Sequence, residues 1–281
     1  MMSQPTFSQA TPAAEFVSEG ATKRLTASVV SIADLRTEDK SRMLTLMRKY
    51  YDAVTEESFQ TDLARKNAVI LLRGRGAIQG FSTLVSLRAT VNHKTVYGVF
   101  SGDTVIEKQY WGQTALPKAF LRYMFKEKLK RPFSPLYWLL ISKGYKTYLM
   151  MANNFAEHFP RYEMDTPADR KAIAEAFYLK LFPEYYNPAT GLIRFPREAC
   201  RLKIGVSEIS DEMRASNPRI AFFEQANPEW RKGVELASLA RMTLAMPFRY
   251  AAKAVVKRRR IESLFRLAPG LLQSREIEPK P

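Results

Sequence analysis

The chain has 281 residues, and its 44 Lys and Arg outnumber 28 Asp and Glu, so that the formal net charge is +16. A single cysteine, Cys200, excludes an internal disulfide and a cysteine zinc site, and two histidines argue against a histidine-rich metal site. No apolar run approaches the roughly 20 residues that span a bilayer, and the N-terminus lacks the pattern of a secretory signal. We therefore expect a cytoplasmic protein without a metal, whose basic surface favours an anionic partner.

The first half of the chain predicts alternating short elements of both kinds. After a tail at 1–24 that we expect to be disordered, the β-branched run at 24–32 predicts a strand. A helix capped by Thr37 is expected to follow as far as Asp52, and then a shorter helix that places Phe59 and Leu63 one turn apart. Three strand-like runs within 67–108, separated by two turns, are typical of an antiparallel meander.

The meander leads directly into a well-marked helix. This helix is predicted from Thr114 to Lys130, with Pro117 in its first turn and basic residues at its end. A buried strand at 134–144 and a helix at 145–160 are expected next. The order is strand, two helices, three strands, helix, strand, helix.

The junction between the last meander strand and this helix reads Gln109-Tyr-Trp-Gly112-Gln-Thr114. Such a turn brings a glycine and several backbone N–H groups to a helix N-terminus, where the first donors lack partners within the helix. The sequence therefore predicts an anion-binding turn at this junction.

The element order and this turn together resemble the GNAT acyltransferase superfamily over residues 25–165. The donor signature of that superfamily is Gln/Arg-x-x-Gly-x-Gly/Ala, and Gln109 and Gly112 match its first two fixed positions. Thr114 replaces the small third residue, although Ala115 follows it directly. The resemblance implies an α/β (α+β) fold with a mixed, mainly antiparallel sheet flanked by helices.

The resemblance also implies how a donor would be held. Its pyrophosphate would meet the N–H groups of Gln113, Thr114 and Ala115, and the pantetheine amide would pair with the strand backbone near Val105 and Ile106. Trp111 would stack on the donor or cover its entrance, or else belong to the core. The donor expected is an acyl-CoA or an acyl carrier protein acting as a substrate, with no tightly bound cofactor.

Two carboxylates are candidates for the general base. Asp103 and Glu107 have the same parity on the last meander strand, so they share a face, roughly 13 Å apart. Members of the superfamily often place a carboxylate there, while surface ion pairing is the alternative for either residue. His158 is a further candidate, because the pKa of an imidazole lies close to neutrality.

The general acid is less well marked. The superfamily commonly uses a tyrosine late in the following helix, in a pattern of which Asn153 and Ala156 supply the first half; Phe159 and Pro160 then stand where the tyrosine is expected. Tyr148 is the substitute that we select, with the other candidates being Tyr145 and Tyr162. Cys200 lies between cations that would lower its pKa, but no histidine is near it in sequence, which argues against a cysteine nucleophile.

Residues 166–270 lie beyond the resemblance and predict a mostly helical extension packed on the first domain, followed by a disordered end at 271–281. Helices are expected from 166 to 181, from 227 to about 245, and at 248–267. The last is basic and amphipathic, with four consecutive cations at 257–260. It suits an acidic carrier protein or an anionic membrane surface, to which the protein would attach peripherally, and the alternative is a solvated helix packed on the catalytic domain.

Two functions follow from these observations. The first is an N-acyltransferase that moves an acyl group from acyl-CoA or an acyl carrier protein to an amine of unknown identity. The alternative is a non-catalytic basic protein of the same fold that binds an acidic protein or an anionic membrane. Nucleic acid is disfavoured, because the aromatic residues lie in apolar runs rather than among the basic ones.

Overall fold

The computed structural model describes residues 24–196, 201–202 and 208–246. The basic helix expected at 248–267, Cys200, the end at 271–281 and all of the N-terminal tail except Arg24 lie outside the described residues. Within the described part of the chain, no helix is both long and apolar enough to cross a membrane.

Helices and strands alternate along the described chain. The helices are α1 (Thr37–Tyr50), α2 (Glu56–Ala64), α3 (Ala115–Lys130), α4 (Tyr145–Ala152), α5 (Ala168–Leu181), α6 (Asp211–Ser216) and α7 (Pro218–Ala226). The strands are β1 (Thr26–Ser31), β2 (Tyr51–Asp52), β3 (Ala68–Gly74), β4 (Ala77–Val91), β5 (Lys94–Ile106), β6 (Leu136–Ser142), β7 (His158–Phe159), β8 (Tyr186–Asn187), β9 (Leu192–Ile193), β10 (Arg201–Leu202) and β11 (Glu235–Met242).

One sheet organises the chain, in the order β1-β3-β4-β5-β6-β11-β9-β8, with β7 also paired to β11. All of its neighbours are antiparallel except β5 and β6, which are parallel and are joined by α3. A parallel pair needs such a crossover, whereas the hairpins of the meander need only tight turns. The predicted fold class, a mixed and mainly antiparallel sheet flanked by helices, is confirmed.

Apolar side chains cover both faces of this sheet. On one face, α3 and α4 pack on the sheet through residues such as Phe120, Met124 and Met151. On the other face, α1 and α2 cover one half of the sheet and α5 covers the other, where Phe177 is fully buried. Each face of the sheet is therefore covered by its own layer of helices. A ligand could reach from one face to the other only through an opening in the sheet.

The helix predicted from 227 to about 245 is wrong. A short 3₁₀ turn at Trp230–Lys232 is followed there by the strand β11, which pairs with β6 along seven residues. Nearly every residue of β11 is buried, so its apolar run has no alternating pattern that would distinguish a strand from a buried helix. The predicted extension therefore contributes a central strand to the sheet. Thr37 is the first residue of α1 rather than its cap, which is Arg36.

Strands β5 and β6 separate before either of them ends. Their pairing runs from Tyr97 and Leu136 to Ser101 and Leu140, and β5 then continues to Ile106 paired only with β4. On its other side, β6 is held to β11 at the same level, because the hydroxyl of Tyr178 lies between the backbones of Leu140 and Ser238. The result is a gap in the sheet that opens beyond Ser101.

Candidate functional site

The free edge of β5 faces this gap with backbone groups. The N–H of Glu107 donates to the carbonyl of Gln79 at 2.8 Å, so the backbone groups of Glu107 and, by alternation, of Val105 point toward β4. Those of Thr104 and Ile106 consequently point toward the gap. Of the two strand residues predicted to pair with a pantetheine amide, Ile106 thus faces the gap and Val105 does not.

The predicted anion-binding turn leads from β5 to α3. Gly112 has a φ of +83°, a conformation that glycine adopts without strain, and Gln109 and Thr114 are exposed. Thr114 occupies the cap position of α3 without a side-chain hydrogen bond to the helix, and the first turn of α3 contains no acidic residue. The N–H groups of Ala115 and its neighbour are therefore left for an anion.

Two donors that a pyrophosphate could use are not available at this turn. The N–H of Gln113 donates to the carbonyl of Tyr110 at 3.3 Å, while the Gln113 side chain accepts from the N–H of Leu25 at 3.1 Å. Pro117, in the first turn of α3, has no N–H to offer. Three N–H groups were predicted to meet the pyrophosphate. Of these, the N–H of Gln113 is instead used in a hydrogen bond within the turn.

Trp111 lies at the edge of the gap and not in the core. Its side chain is 42% exposed, and its indole N–H donates to the carbonyl of Ile106 at 2.8 Å. The Lys146 ammonium lies 4.9 Å from the centre of the ring. Trp111 therefore forms one wall at the mouth of the cavity beside the gap.

A cavity of about 400 Å³ opens on the face of the sheet that carries α1, α2 and α5. Ser101 and Leu140, the last paired residues of β5 and β6, both line it, and so does Trp111. On the opposite face an apolar slot between α3 and α4 is lined by Phe120, Phe155 and, again, Ser101. The gap therefore lies between a polar cavity and an apolar slot.

The polar cavity contains a pair of carboxylates. Asp62 of α2 and Asp103 of β5 share one cation, because the Lys66 ammonium lies 2.9 Å from Asp62 Oδ2 and 3.7 Å from Asp103 Oδ2. The hydroxyl of Thr83 donates to Asp103 Oδ2 at 3.2 Å. A second ion pair in the wall joins Lys143 to buried Glu235 at 3.5 Å.

The two carboxyl groups have different pKa values because their surroundings differ. Desolvation in the cavity wall, together with the charge of Asp103, raises the pKa of Asp62 to about 6, although 49% of the Asp62 side chain is exposed. Burial also acts to raise the pKa of Asp103, but the Lys66 charge and the hydrogen bond with Asp62 outweigh it and lower that pKa. The pair thus holds one proton below pH 6 and can accept a proton near neutrality, as a general base must.

Glu107, the other carboxylate predicted on β5, has a different environment. Its side chain accepts from Lys49 Nζ at 2.5 Å and from the Tyr50 hydroxyl at 2.9 Å, and Arg42 lies 3.5 Å away. Burial alone would raise the pKa of Glu107, but these partners lower it below its usual range. Glu107 does not line the cavity, and its geometry fits a structural ion pair between α1 and β5 better than a base.

We expect Glu107→Gln to reduce stability rather than turnover. Because the folded-state pKa of Glu107 is lowered, its ionised form contributes stability above the unfolded-state pKa, and that contribution is lost as pH falls through the folded-state value. Urea unfolding should show the variant about 1 kcal/mol less stable at pH 7, and equal to the parent at strongly acidic pH. A large fall in turnover with unchanged stability would contradict this assignment.

His158 and Tyr148 lie in the core, away from the gap. His158 is 2% exposed and its Nδ1 is hydrogen-bonded to the Phe155 carbonyl at 2.8 Å; burial lowers its pKa. Tyr148 is fully buried, its hydroxyl donates to the Pro160 carbonyl at 3.0 Å, and burial raises its pKa. Neither residue lines the polar cavity or the apolar slot, so the catalytic roles predicted for them receive no support from this geometry.

The sequence analysis did not single out four residues that the structure brings to the gap. Asp62 and Lys66 come from α2, and their spacing of four residues indicates only a helical ion pair. Ser101 of β5 and Trp138 of β6 meet through a hydrogen bond of 2.8 Å from the indole N–H. The polar side chain of Ser101 within the apolar stretch of β5 was the one sequence feature that could have indicated this site.

No protein-family model matches this chain, and no curated protein matches it either. Among solved structures, it is similar to a conserved Enterococcus faecalis protein of unknown function described as a probable N-acyltransferase, with 15% identity and a TM-score of 0.36; the match covers 45% of this chain and 32% of that one. It is also similar to an acyl-CoA N-acyltransferase from Pseudomonas aeruginosa (17% identity, TM-score 0.34, 48% and 90% of the two chains). A third is the ribosomal-protein-S18-alanine N-acetyltransferase from Escherichia coli (15%, 0.32, 49% and 83%).

These matches span about half of this chain, and this chain spans about a third of the Enterococcus faecalis protein. The strand order provides the firmer argument. Elements β1, α1, α2, β3 to β5, α3, β6 and α4 follow one another as the sequence resemblance implies, apart from the two-residue strand β2 between α1 and α2. The turn around Gly112 stands at the junction where the superfamily places its donor signature. The chain therefore has a GNAT-like fold.

Proposed function

We propose that this protein is an N-acyltransferase that moves an acyl group from an acyl thioester to an amine by direct attack. The observation that carries the proposal is the gap beyond Ser101 and Leu140. It has the N-terminus of α3, which carries no side-chain cap and no acidic residue in its first turn, at one end, and a cavity with a carboxylate pair at one face. A thioester in the gap would thus be accessible to an amine in the cavity.

Each part of the gap supports one step of such a transfer. The N-terminus of α3 favours the negative charge of a donor phosphate. The backbone groups of Thr104 and the N–H of Ile106 point to the gap and are placed to pair with the amides of the donor arm, as an added strand would. The Ile106 carbonyl already accepts from the indole N–H of Trp111. Holding both reactants in place removes much of the entropic cost of their meeting.

The carboxylate pair supports the proton transfers. An acceptor amine enters mainly as an ammonium ion, which Asp103 attracts, and one proton passes from nitrogen to the pair of Asp62 and Asp103. The free amine attacks the thioester carbonyl carbon, a C–N bond forms and the C–S bond breaks. The second nitrogen proton leaves as the amide forms, and the departing sulfur takes up a proton to become a thiol.

The turn around Gly112 provides a test of donor binding. An added Cβ at Gly112 would meet open space, so a substitution there acts through its backbone preference and not through a clash. Asparagine tolerates a positive φ, whereas β-branched valine does not. We expect Gly112→Val to weaken coenzyme A binding about tenfold in calorimetry, for a strain of about 1–2 kcal/mol, and Gly112→Asn to change it much less.

The two variants control each other, because both fill the same open space. Circular dichroism and urea unfolding should show the same fold in both, since Gly112 lies in an exposed turn. Equal coenzyme A affinity in parent, asparagine and valine proteins would remove the turn from the proposed site. Release of thiol from acyl-CoA in the presence of a panel of primary amines would then test the transfer itself.

A further inference from the structure

The solvent-exposed surface of α3 carries a row of cations that winds gradually around the helix. Lys118, Arg122, Lys126 and Lys130 follow one another at intervals of four residues, and all four are exposed. Residues four apart lie above one another on a helix, so this cationic row runs along α3 for about 18 Å. It begins one turn after the phosphate-binding N-terminus of the helix.

Most of this cationic row has no counter-charge. Among the described residues, no carboxylate pairs with Lys118, Arg122 or Lys126, whereas Lys130 forms an ion pair with Glu127. Like charges four residues apart destabilise a helix, by about 0.2–0.5 kcal/mol for each pair. An arrangement that costs stability in the free protein is explained when an anionic partner neutralises it.

We propose that the cationic row is the docking surface for an acidic carrier domain, a small protein that presents the acyl group as a phosphopantetheine thioester. This inference rests on the proposed function for the site that receives the thioester. The phosphate of the carrier's arm would lie at the N-terminus of α3. An acidic helix beside that arm would then follow the row from Lys118 toward Lys130.

The shape of the cationic row favours a carrier domain over the two other anionic partners. Lys126 lies about 12 Å along α3 from Lys118, on the side away from the anion-binding turn. It therefore lies beyond the place where a donor phosphate is held at the N-terminus of α3. A membrane surface would require large apolar side chains interleaved with the cations. The strongly exposed apolar residues here, Leu129 (54%) and Phe133 (99%), lie only at the far end of α3. An extended row of charges is complementary to a row of acidic side chains along a partner helix.

The test uses charge reversal away from the donor turn. Arg122→Glu and Lys126→Glu are combined in one variant, and Lys118 is left intact because it is close to the predicted phosphate. The matched control combines Arg88→Glu on β4 with Lys171→Glu on α5, two exposed cations that have no ion pair among the described residues and change the net charge equally. The probe is a purified bacterial holo-acyl carrier protein, titrated into each full-length variant by calorimetry at low salt.

We expect the α3 variant to bind the carrier protein at least about tenfold more weakly than the parent, and the control variant to bind within about twofold of it. Raised salt should weaken the parent's binding through screening. Absence of carrier binding by the parent, or equal weakening in both variants, would overturn the proposal. Loss of binding to phosphatidylglycerol vesicles in the α3 variant, with carrier binding unchanged, would overturn it in favour of a membrane surface.

Failure of this inference is distinguishable from failure of the proposed function. Carrier affinity is measured without turnover, and transfer from a free acyl-CoA to an amine is measured separately in the same variants. If the parent transfers from acyl-CoA but does not bind the carrier, only the docking surface is wrong. If the parent binds the carrier and the α3 variant does not, while neither acyl-CoA nor acyl carrier is a donor, only the proposed function fails.

Discussion

Replacing Asp103 with asparagine should lower the turnover number about a hundredfold or more, while donor affinity stays close to that of the parent. The expected size follows from the usual contribution of a positioned general base. Asparagine keeps the shape of the side chain and its contact with Thr83, but it neither accepts a proton nor attracts an ammonium ion. Steady-state kinetics with saturating acyl-CoA, together with calorimetry of donor binding, would measure the two quantities separately.

Replacement of Asp62, the partner of Asp103, should change the pH dependence of turnover. Loss of the proton held by the pair creates the base, so kcat/KM of the parent should rise with pH through about 6, where the raised pKa of Asp62 lies. In Asp62→Asn the like charge is removed, and Asp103 beside Lys66 keeps a lowered pKa. The acidic limb of the pH profile should therefore move to lower pH.

Glu107→Gln provides the matched control for both variants, since Glu107 directly follows β5, the strand that carries Asp103, and lies outside the cavity. Its turnover should stay within about twofold of the parent, the range expected when no reacting group is lost. Comparable losses of turnover in Asp103→Asn and Glu107→Gln would mean that a shared structural effect, and not the loss of a proton acceptor, explains both. An unchanged pH profile in Asp62→Asn would exclude the pair as the titrating group.

Local patterns were sufficient to predict the first part of the fold. The meander could be inferred from β-branched runs between short turns, and α3 from its proline, its basic last turn and the glycine that precedes it. These signals arise from neighbouring residues, so they are present in the sequence itself. The turn at Gly112 belongs to the same class, because its function depends on backbone geometry within a few residues.

The carboxylate pair could not be predicted in this way. Asp62 and Asp103 lie on different elements, and only the packing of α2 against the end of β5 brings them together. In sequence, Asp62 indicates an ion pair with Lys66, and Asp103 and Glu107 are equivalent by strand parity. Burial and partners, which are tertiary properties, distinguish Asp103 in the cavity from Glu107 among the cations of α1.

Strand β11 was missed for a related reason. A strand with neighbours on both sides and both faces covered loses the polar alternation that marks a strand at the surface. Its central position matters for the site, because β11 is the neighbour that holds β6 on the side away from the gap. At the pair of Leu140 and Ser238 this contact includes the hydroxyl of Tyr178, which no sequence pattern reveals.

Tyr178→Phe should lower the free energy of unfolding by about 2–4 kcal/mol. The Tyr178 hydroxyl accepts from the N–H groups of Leu140 (3.0 Å) and Ser238 (3.2 Å) and donates to the Ser238 carbonyl at 2.6 Å, with the Leu140 carbonyl 3.0 Å away. It therefore replaces direct hydrogen bonds between β6 and β11 at this pair. Without the hydroxyl, three buried backbone groups lose their partner, and each unsatisfied group costs about 1–3 kcal/mol unless the strands close together.

Tyr186→Phe is the matched control for this loss. Its ring lies 5.3 Å from that of Tyr178 and is nearly as buried, but its hydroxyl has no hydrogen-bond partner among the described residues. Urea unfolding should place this control within about 0.5 kcal/mol of the parent. Because Leu140 is also the last residue of β6 that pairs with β5, closure of β6 onto β11 in Tyr178→Phe should change the width of the gap and lower donor affinity. Equal stability of the two variants would show that the strands satisfy their own backbone groups and that the hydroxyl does not determine where β6 lies.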